Sequence, residues 1–70
     1  MTLLQRNAIT NKAVNLDENV AIVINKTTDM CHLYYKGTSI YTATYDKMYG
    51  YLDALHAVKL NPSLFAEIWN

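Results

Sequence analysis

Seventy residues allow one domain, and a chain this short buries only about 60% of the surface that it exposes when unfolded. Cys31 is the only cysteine, so neither an internal disulfide nor a cysteine-rich zinc site can reinforce so thin a core, which leaves self-association as the expected support. Six Lys/Arg balance six Asp/Glu, which gives neither a basic patch to gain counterion-release energy from phosphates nor an acidic surface to imitate DNA, and so disfavours nucleic acid as a partner.

The opening Met-Thr-Leu-Leu-Gln-Arg has no apolar run behind a basic start, and the longest apolar run, Val20 to Ile24, is far too short to cross a bilayer. The expectation is a soluble, cytoplasmic protein without a membrane partner, and a lone Cys31 fits a reducing compartment. In residues 1–18 the apolar residues fall in pairs, Leu3-Leu4, Ala8-Ile9 and Ala13-Val14, a spacing that suits neither helix nor strand. Asn7, Asn11, Asn15 and Asn19 recur every fourth position. Asparagine prefers caps and turns to helix interiors, so this segment is expected to be an extended arm with a short strand at Leu3–Ile9.

Val20-Ala21-Ile22-Val23-Ile24 is rich in β-branched residues and apolar at every position, the pattern of a strand covered on both faces or central in a small sheet. Asn25 to Asp29 supplies turn-forming residues, after which Met30 to Tyr35 resumes an extended chain, so a β-hairpin is predicted. Lys36-Gly37-Thr38-Ser39 reads as a second tight turn, with Gly37 available for positive φ, and Ile40 to Ala43 returns as a third antiparallel strand. Residues 19–43 are thus expected to form a β-meander.

A helix is predicted over 44–59. Thr44 is its expected hydroxyl cap, with Asp46 and Lys59 complementing the dipole at either end, although Lys47 stands where a Glu would close a capping box. Met48, Tyr51, Leu52, Leu55 and Val58 follow three-and-four spacing, which gives the helix one apolar face to lay on the sheet. Gly50 interrupts it at a cost of roughly 0.8–1 kcal/mol relative to Ala, which fits either a close approach by another backbone or a tolerated loss. Asn61-Pro62 ends this helix and starts a short one over 62–69, whose Leu64, Phe65, Ile68 and Trp69 must be buried against their own domain or a second chain. The predicted fold class is therefore α+β: a three-stranded antiparallel β-meander packed against one amphipathic helix, with a short C-terminal helix, in a single domain of residues 1–70.

Catalytic constellations are hard to assemble from these residues. Cys31 and His32 are adjacent, and adjacent side chains in a strand point to opposite faces, so they do not make a nucleophile–base pair; Cys31 is expected in the core and His32 on the face shared with Tyr34. Asp53 and His56 share a helix face with Tyr49, which in principle offers an oriented acid–base pair or half a metal site, but a metal normally needs three or four ligands and a solvated helix face is the expected reading. Gly37 and Gly50 are the only glycines, so no phosphate loop exists, and no serine lies in a nucleophile elbow. No catalytic, cofactor or metal residue is assigned, and the chain is not expected to be an enzyme.

All six tyrosines lie between Tyr34 and Tyr51. An apolar ring with a hydrogen-bonding tip serves a half-buried sheet and a binding surface equally well. The candidate protein-binding residues are His32, Tyr34, Tyr41 and Tyr49, joined by the terminal aromatic pair Phe65 and Trp69. Stacking of single-stranded bases on a tyrosine-bearing sheet is the alternative, but Arg6 is the sole arginine to accompany the rings.

The order Val20–Ile24, then Leu33-Tyr34-Tyr35-Lys36-Gly37-Thr38-Ser39, then a helix containing Met48-Tyr49-Gly50, resembles the small phage-encoded inhibitors that pair a β-meander with one helix. It is similar in particular to the uracil-DNA glycosylase inhibitors of phi29-like phages, over about half the chain. That resemblance implies a homodimer that blocks the DNA-binding face of a host enzyme with acidic and aromatic groups. This chain is neutral and has no acidic run, so the expectation is the general class: a phage or mobile-element protein that binds and disables a host or defence protein, such as a CRISPR effector or a DNA-repair enzyme.

Overall fold

Backbone pairing follows the meander. In the computed structural model, which describes residues 1–69, the elements run α1 (Leu3–Val14), β1 (Val20–Ile24), β2 (Cys31–Tyr35), β3 (Thr38–Ala43), α2 (Tyr45–Val58) and α3 (Pro62–Ile68). The three strands form one antiparallel sheet in the order β1-β2-β3, so β1 is an edge strand with Ala21 and Val23 exposed on one face, and not the covered or central strand that its apolar run suggests. The fold is thus α+β, with three helices where the sequence pointed to two.

The added helix is α1, and it replaces the expected arm and its strand at Leu3–Ile9. Its start is fixed by a reciprocal capping box: the Gln5 backbone N–H donates to Thr2 Oγ1 at 3.1 Å, and the Thr2 backbone N–H donates to Gln5 Oε1 at 3.0 Å. Asn7 and Asn11 lie on the exposed stripe that their spacing dictates, and Asn15 serves as the C-cap. Ile9 and Ala13, four apart, point inward and are fully buried. Two well-placed apolar residues and a cap outweigh the modest propensity of the asparagines, because tertiary burial supplies most of a short helix's stability.

Both hairpin turns have a local cause. Asn25 Oδ1 accepts from the backbone N–H groups of Thr27 at 2.9 Å and Thr28 at 3.1 Å, so the side chain organises the β1–β2 loop, which closes through Asp29 at φ 61°. The β2–β3 turn is tighter than the predicted four residues. Lys36 and Gly37 both have positive φ, 52° and 82°, which matches the mirror-image two-residue turn whose twist suits a hairpin, so β3 begins at Thr38.

Thr44 occupies the N-cap of α2, but its hydroxyl makes no capping bond; its carbonyl accepts from Met48 N–H at 2.8 Å. Met48, Tyr51, Leu52 and Leu55 form the buried stripe, while Val58 is exposed and falls outside it. The helix ends on Lys59 in the left-handed conformation, φ 57°. Among the described residues, nothing beyond its own helix turn and chain neighbours comes within 4 Å of where a Gly50 side chain would start, so of the two readings the tolerated loss holds within this chain. Asn61 caps α3 as its sequence promised, accepting from Ser63 N–H at 2.9 Å and Leu64 N–H at 3.3 Å, with Pro62 in the first turn.

One face of the sheet carries the core. Val20 from β1, Cys31 and Leu33 from β2, and Ala43 from β3 point to the same side and meet Ile9 and Ala13 of α1, the α2 stripe and Phe65 of α3. The opposite face, with Ala21, Val23, His32, Tyr34 and Thr42, has no helix against it. No helix of the described residues is long and apolar enough to cross a membrane.

Candidate protein-binding surface

The six predicted binding residues do not form one site; the fold distributes them over three places. Tyr41, Phe65 and Trp69 belong to an internal aromatic cluster built around Tyr51. The Tyr41 and Tyr51 rings stack at 4.4 Å between centroids, Phe65 lies 5.1 Å from Tyr51, and Trp69 meets Tyr51 edge-on at 5.6 Å. Two hydrogen bonds lock the polar tips: Trp69 Nε1–H donates to the Tyr41 hydroxyl at 2.9 Å, and the Tyr51 hydroxyl donates to the Pro62 carbonyl at 3.0 Å. Phe65 is only 6% exposed. The terminal helix therefore packs on its own domain, with Phe65 in the core and Tyr41 and Trp69 partly buried against it.

Tyr41 turns inward because of a bulge. A ladder counted without interruption from the Lys36-Gly37 turn would set Tyr41 opposite His32, on the outer face. The register shifts between Leu33 and Tyr34, so that Ser39 faces Tyr34 while Tyr41 faces Leu33. Ile40 is the extra residue, and one inserted residue sends every following side chain to the other face.

Tyr49 lies on the flank of α2, 5.7 Å from the Tyr45 ring between centroids, in a bridge between the first two helices. Lys12 Nζ pairs with the Asp53 carboxylate and lies 4.5 Å from the centre of the Tyr49 ring. The hydrogen bond that Lys12 donates to Asp53, together with the Asp53 charge, raises the Lys12 ammonium above the ordinary lysine value, against the opposing effect of partial burial. Asp53 is thus engaged with Lys12, and no bond joins it to His56. Among the described residues no group of three or more His, Cys, Asp or Glu side chains comes together to hold a metal ion. Cys31 lies fully buried on the core face, and burial pushes its thiol up, with the Asp29 charge adding to the effect.

His32 and Tyr34 are left together on the open face of the sheet. Cross-strand pairing surrounds them: Val23 and Thr42 flank His32, and Ala21 and Ser39 flank Tyr34. His32 Nδ1 and Thr42 Oγ1 are 3.0 Å apart, which fixes the imidazole ring against the sheet. Val23 is 52% exposed beside it. Two half-buried rings thus lie side by side on the sheet, bordered by the small or apolar residues Ala21, Val23, Ser39 and Thr42. Strand alternation could have found Ala21, Val23 and Thr42 from the sequence, because they share parity with His32 and Tyr34 across the ladder.

No protein-family model matches this chain, and neither a curated protein nor a solved structure is significantly similar to it. The functional reading therefore rests on this surface.

Proposed function

We propose that this chain is a protein-binding module that docks through the open face of its sheet, with His32 and Tyr34 as anchors and Val23 and Ala21 beside them. In the finer reading it is an inhibitor carried by a phage or mobile element, working as a homodimer that covers the working face of a host or defence enzyme. The observation that carries the proposal is that half-buried His32 and Tyr34 lie beside exposed Val23 on a sheet face that no helix covers. Aromatic residues held rigid in advance lose little conformational freedom on binding, which is why such residues dominate binding hot spots.

The test begins with a pull-down from host lysate, followed by titration of the captured protein, once purified, with variants of this chain. His32→Ala and Tyr34→Ala together are expected to weaken binding by at least about thirtyfold, the equivalent of a 2 kcal/mol hot spot, with little change in thermal stability. Tyr49→Ala, away from this face, is expected to bind as the parent does. Unchanged affinity in the His32/Tyr34 variant would remove the sheet face from the proposal.

The same two rings favour one competing reading, base stacking on single-stranded nucleic acid. Zero net charge weighs against it. Salt-dependent retention of single-stranded oligonucleotides, lost on Tyr34→Ala, would decide for it.

A further inference from the structure

The two edges of the sheet are built differently. β3 carries the bulge at Ile40 and has both α2 and α3 against it; β1 has α1 against it but is a regular five-residue strand without a charge, a proline or a bulge. Charge, proline and bulge are among the devices that blunt an edge, and β1 carries none of these three. Lys36 N–H donates to Asn19 C=O at one end of the β1–β2 ladder and Asn25 N–H to Met30 C=O at the other, so residues 19, 21, 23 and 25 bond to β2. The N–H and C=O groups of Ile22, the N–H of Ile24 and the C=O of Val20 consequently point outward. Among the described residues no side chain donates to or accepts from them.

Beside this edge lies a flank of α1 that carries two exposed apolar residues. On a helical wheel Lys12, which reaches across to α2, falls on one side of buried Ile9 and Ala13; Arg6, Thr10, Leu3 and Val14 fall on the other. Since α1 packs on β1 and α2 on β3, that second side faces away from α2, on the side of the free edge. Leu3 is 71% exposed and Val14 52% exposed.

We infer that a second copy of this chain occupies the β1 edge, pairing antiparallel about a two-fold axis at Ile22 to make one continuous six-stranded sheet. The inference deepens the homodimer within the proposed function, although it does not depend on what docks at His32 and Tyr34. The edge is self-complementary. Ile22 exchanges two hydrogen bonds with Ile22 of the second copy, Val20 meets Ile24, and Ala21 covers the exposed Val23. The same axis serves the helix, because twelve residues of α1 span about 18 Å and five residues of β1 about 17 Å, which brings Leu3 beside Val14 of the other copy. Zero net charge and an uncharged β1 remove the repulsion that keeps like copies apart. A flank of that length across a molecule 29 × 21 × 19 Å in extent offers on the order of 400 Å² per copy, or about 800 Å² in total, short of the roughly 1,000 Å² of a stable interface, so the dimer is expected to be weak and to form only in the range of about 100 µM.

Sedimentation and amide exchange test this. The parent chain is expected at twice its 8.0 kDa mass at about 100 µM, with the Ile22 and Ile24 amides protected in the dimer and exchanging freely on dilution. Leu3→Glu with Val14→Glu, both at exposed positions, sets like charges opposite each other and is expected to raise the dimer dissociation constant at least tenfold. Leu3→Lys with Val14→Glu sets opposite charges face to face and is expected to restore it. A parent chain that stays monomeric, a dimer indifferent to these pairs, or a dimer in which the Ile22 and Ile24 amides exchange freely would overturn the inference. The His32→Ala/Tyr34→Ala variant is expected to dimerise normally, so loss of the external partner and loss of self-pairing are read separately.

Discussion

Tyr51 does the most for the fold of any single side chain. Its ring touches Tyr41, Phe65 and Trp69, and its hydroxyl reaches the first turn of α3. Tyr51→Phe keeps the rings and deletes only the bond to Pro62, so a loss of about 1 kcal/mol is expected, read as a lower denaturant midpoint at unchanged slope. Burial also pushes the Tyr51 hydroxyl up from 10.0 to about 12, with Tyr41 adding to the effect. The native state therefore holds the phenolic proton more tightly than the unfolded chain does. Its contribution is complete below pH 10 and is lost as the pH rises toward 12, by about 1.4 kcal/mol per pH unit. Denaturant titrations at pH 9 and pH 11 are expected to show that loss in the parent and a smaller one in Tyr51→Phe, with the remainder including buried Cys31, whose raised thiol acts with the same sign.

Among the elements, the three strands and α2 were legible because each carries its own periodicity and its own turn chemistry. Alternation placed Cys31 inside and His32 with Tyr34 outside, and Asn61-Pro62 marked the start of α3 without help from elsewhere. Where sequence reading failed, two kinds of information competed or were missing. In α1 the Thr2–Gln5 capping box was present in the sequence, but four regularly spaced asparagines argued for turns, and only packing of Ile9 and Ala13 on the sheet decides between them. At Tyr41 a single bulge reversed the face, and a bulge has no signature in β-branched residues alone. The Phe65/Trp69 face was visible, but periodicity does not say which surface covers it. Gly50 supplies a prediction at this scale: an exposed helical glycine with open space around its α-carbon is replaceable, so Gly50→Ala is expected to stabilise the protein by about 0.8–1 kcal/mol, checked by thermal and denaturant melts.

For the molecule as a whole, placing all three helices on one side of a three-stranded sheet leaves the other side open. The core is a single layer of residues from Ile9 to Phe65, and a domain of this size has little surplus stability. If the inferred pairing through the β1 edge forms, it adds binding energy to the folded state only, so the melting temperature is expected to climb with protein concentration, and to stop doing so in Leu3→Glu/Val14→Glu. Calorimetry or circular dichroism over a hundredfold dilution series would detect it. The open face remains free in that arrangement, and each dimer then presents two copies of the His32–Tyr34 surface on the same side of one sheet. A target with two matching sites would be held by avidity without any new contact.

The position of Trp69 gives the chain an optical reporter of its own. It is the only indole in the sequence, it sits at the end of the last helix, and it is within 5.6 Å of a tyrosine that can pass excitation to it. Emission from that one ring therefore follows the docking of α3 rather than the integrity of the sheet. Lifting the terminal helix breaks the bond to Tyr41 and lets water reach the indole, so its spectrum moves to the red while the strands still absorb in the far ultraviolet as before.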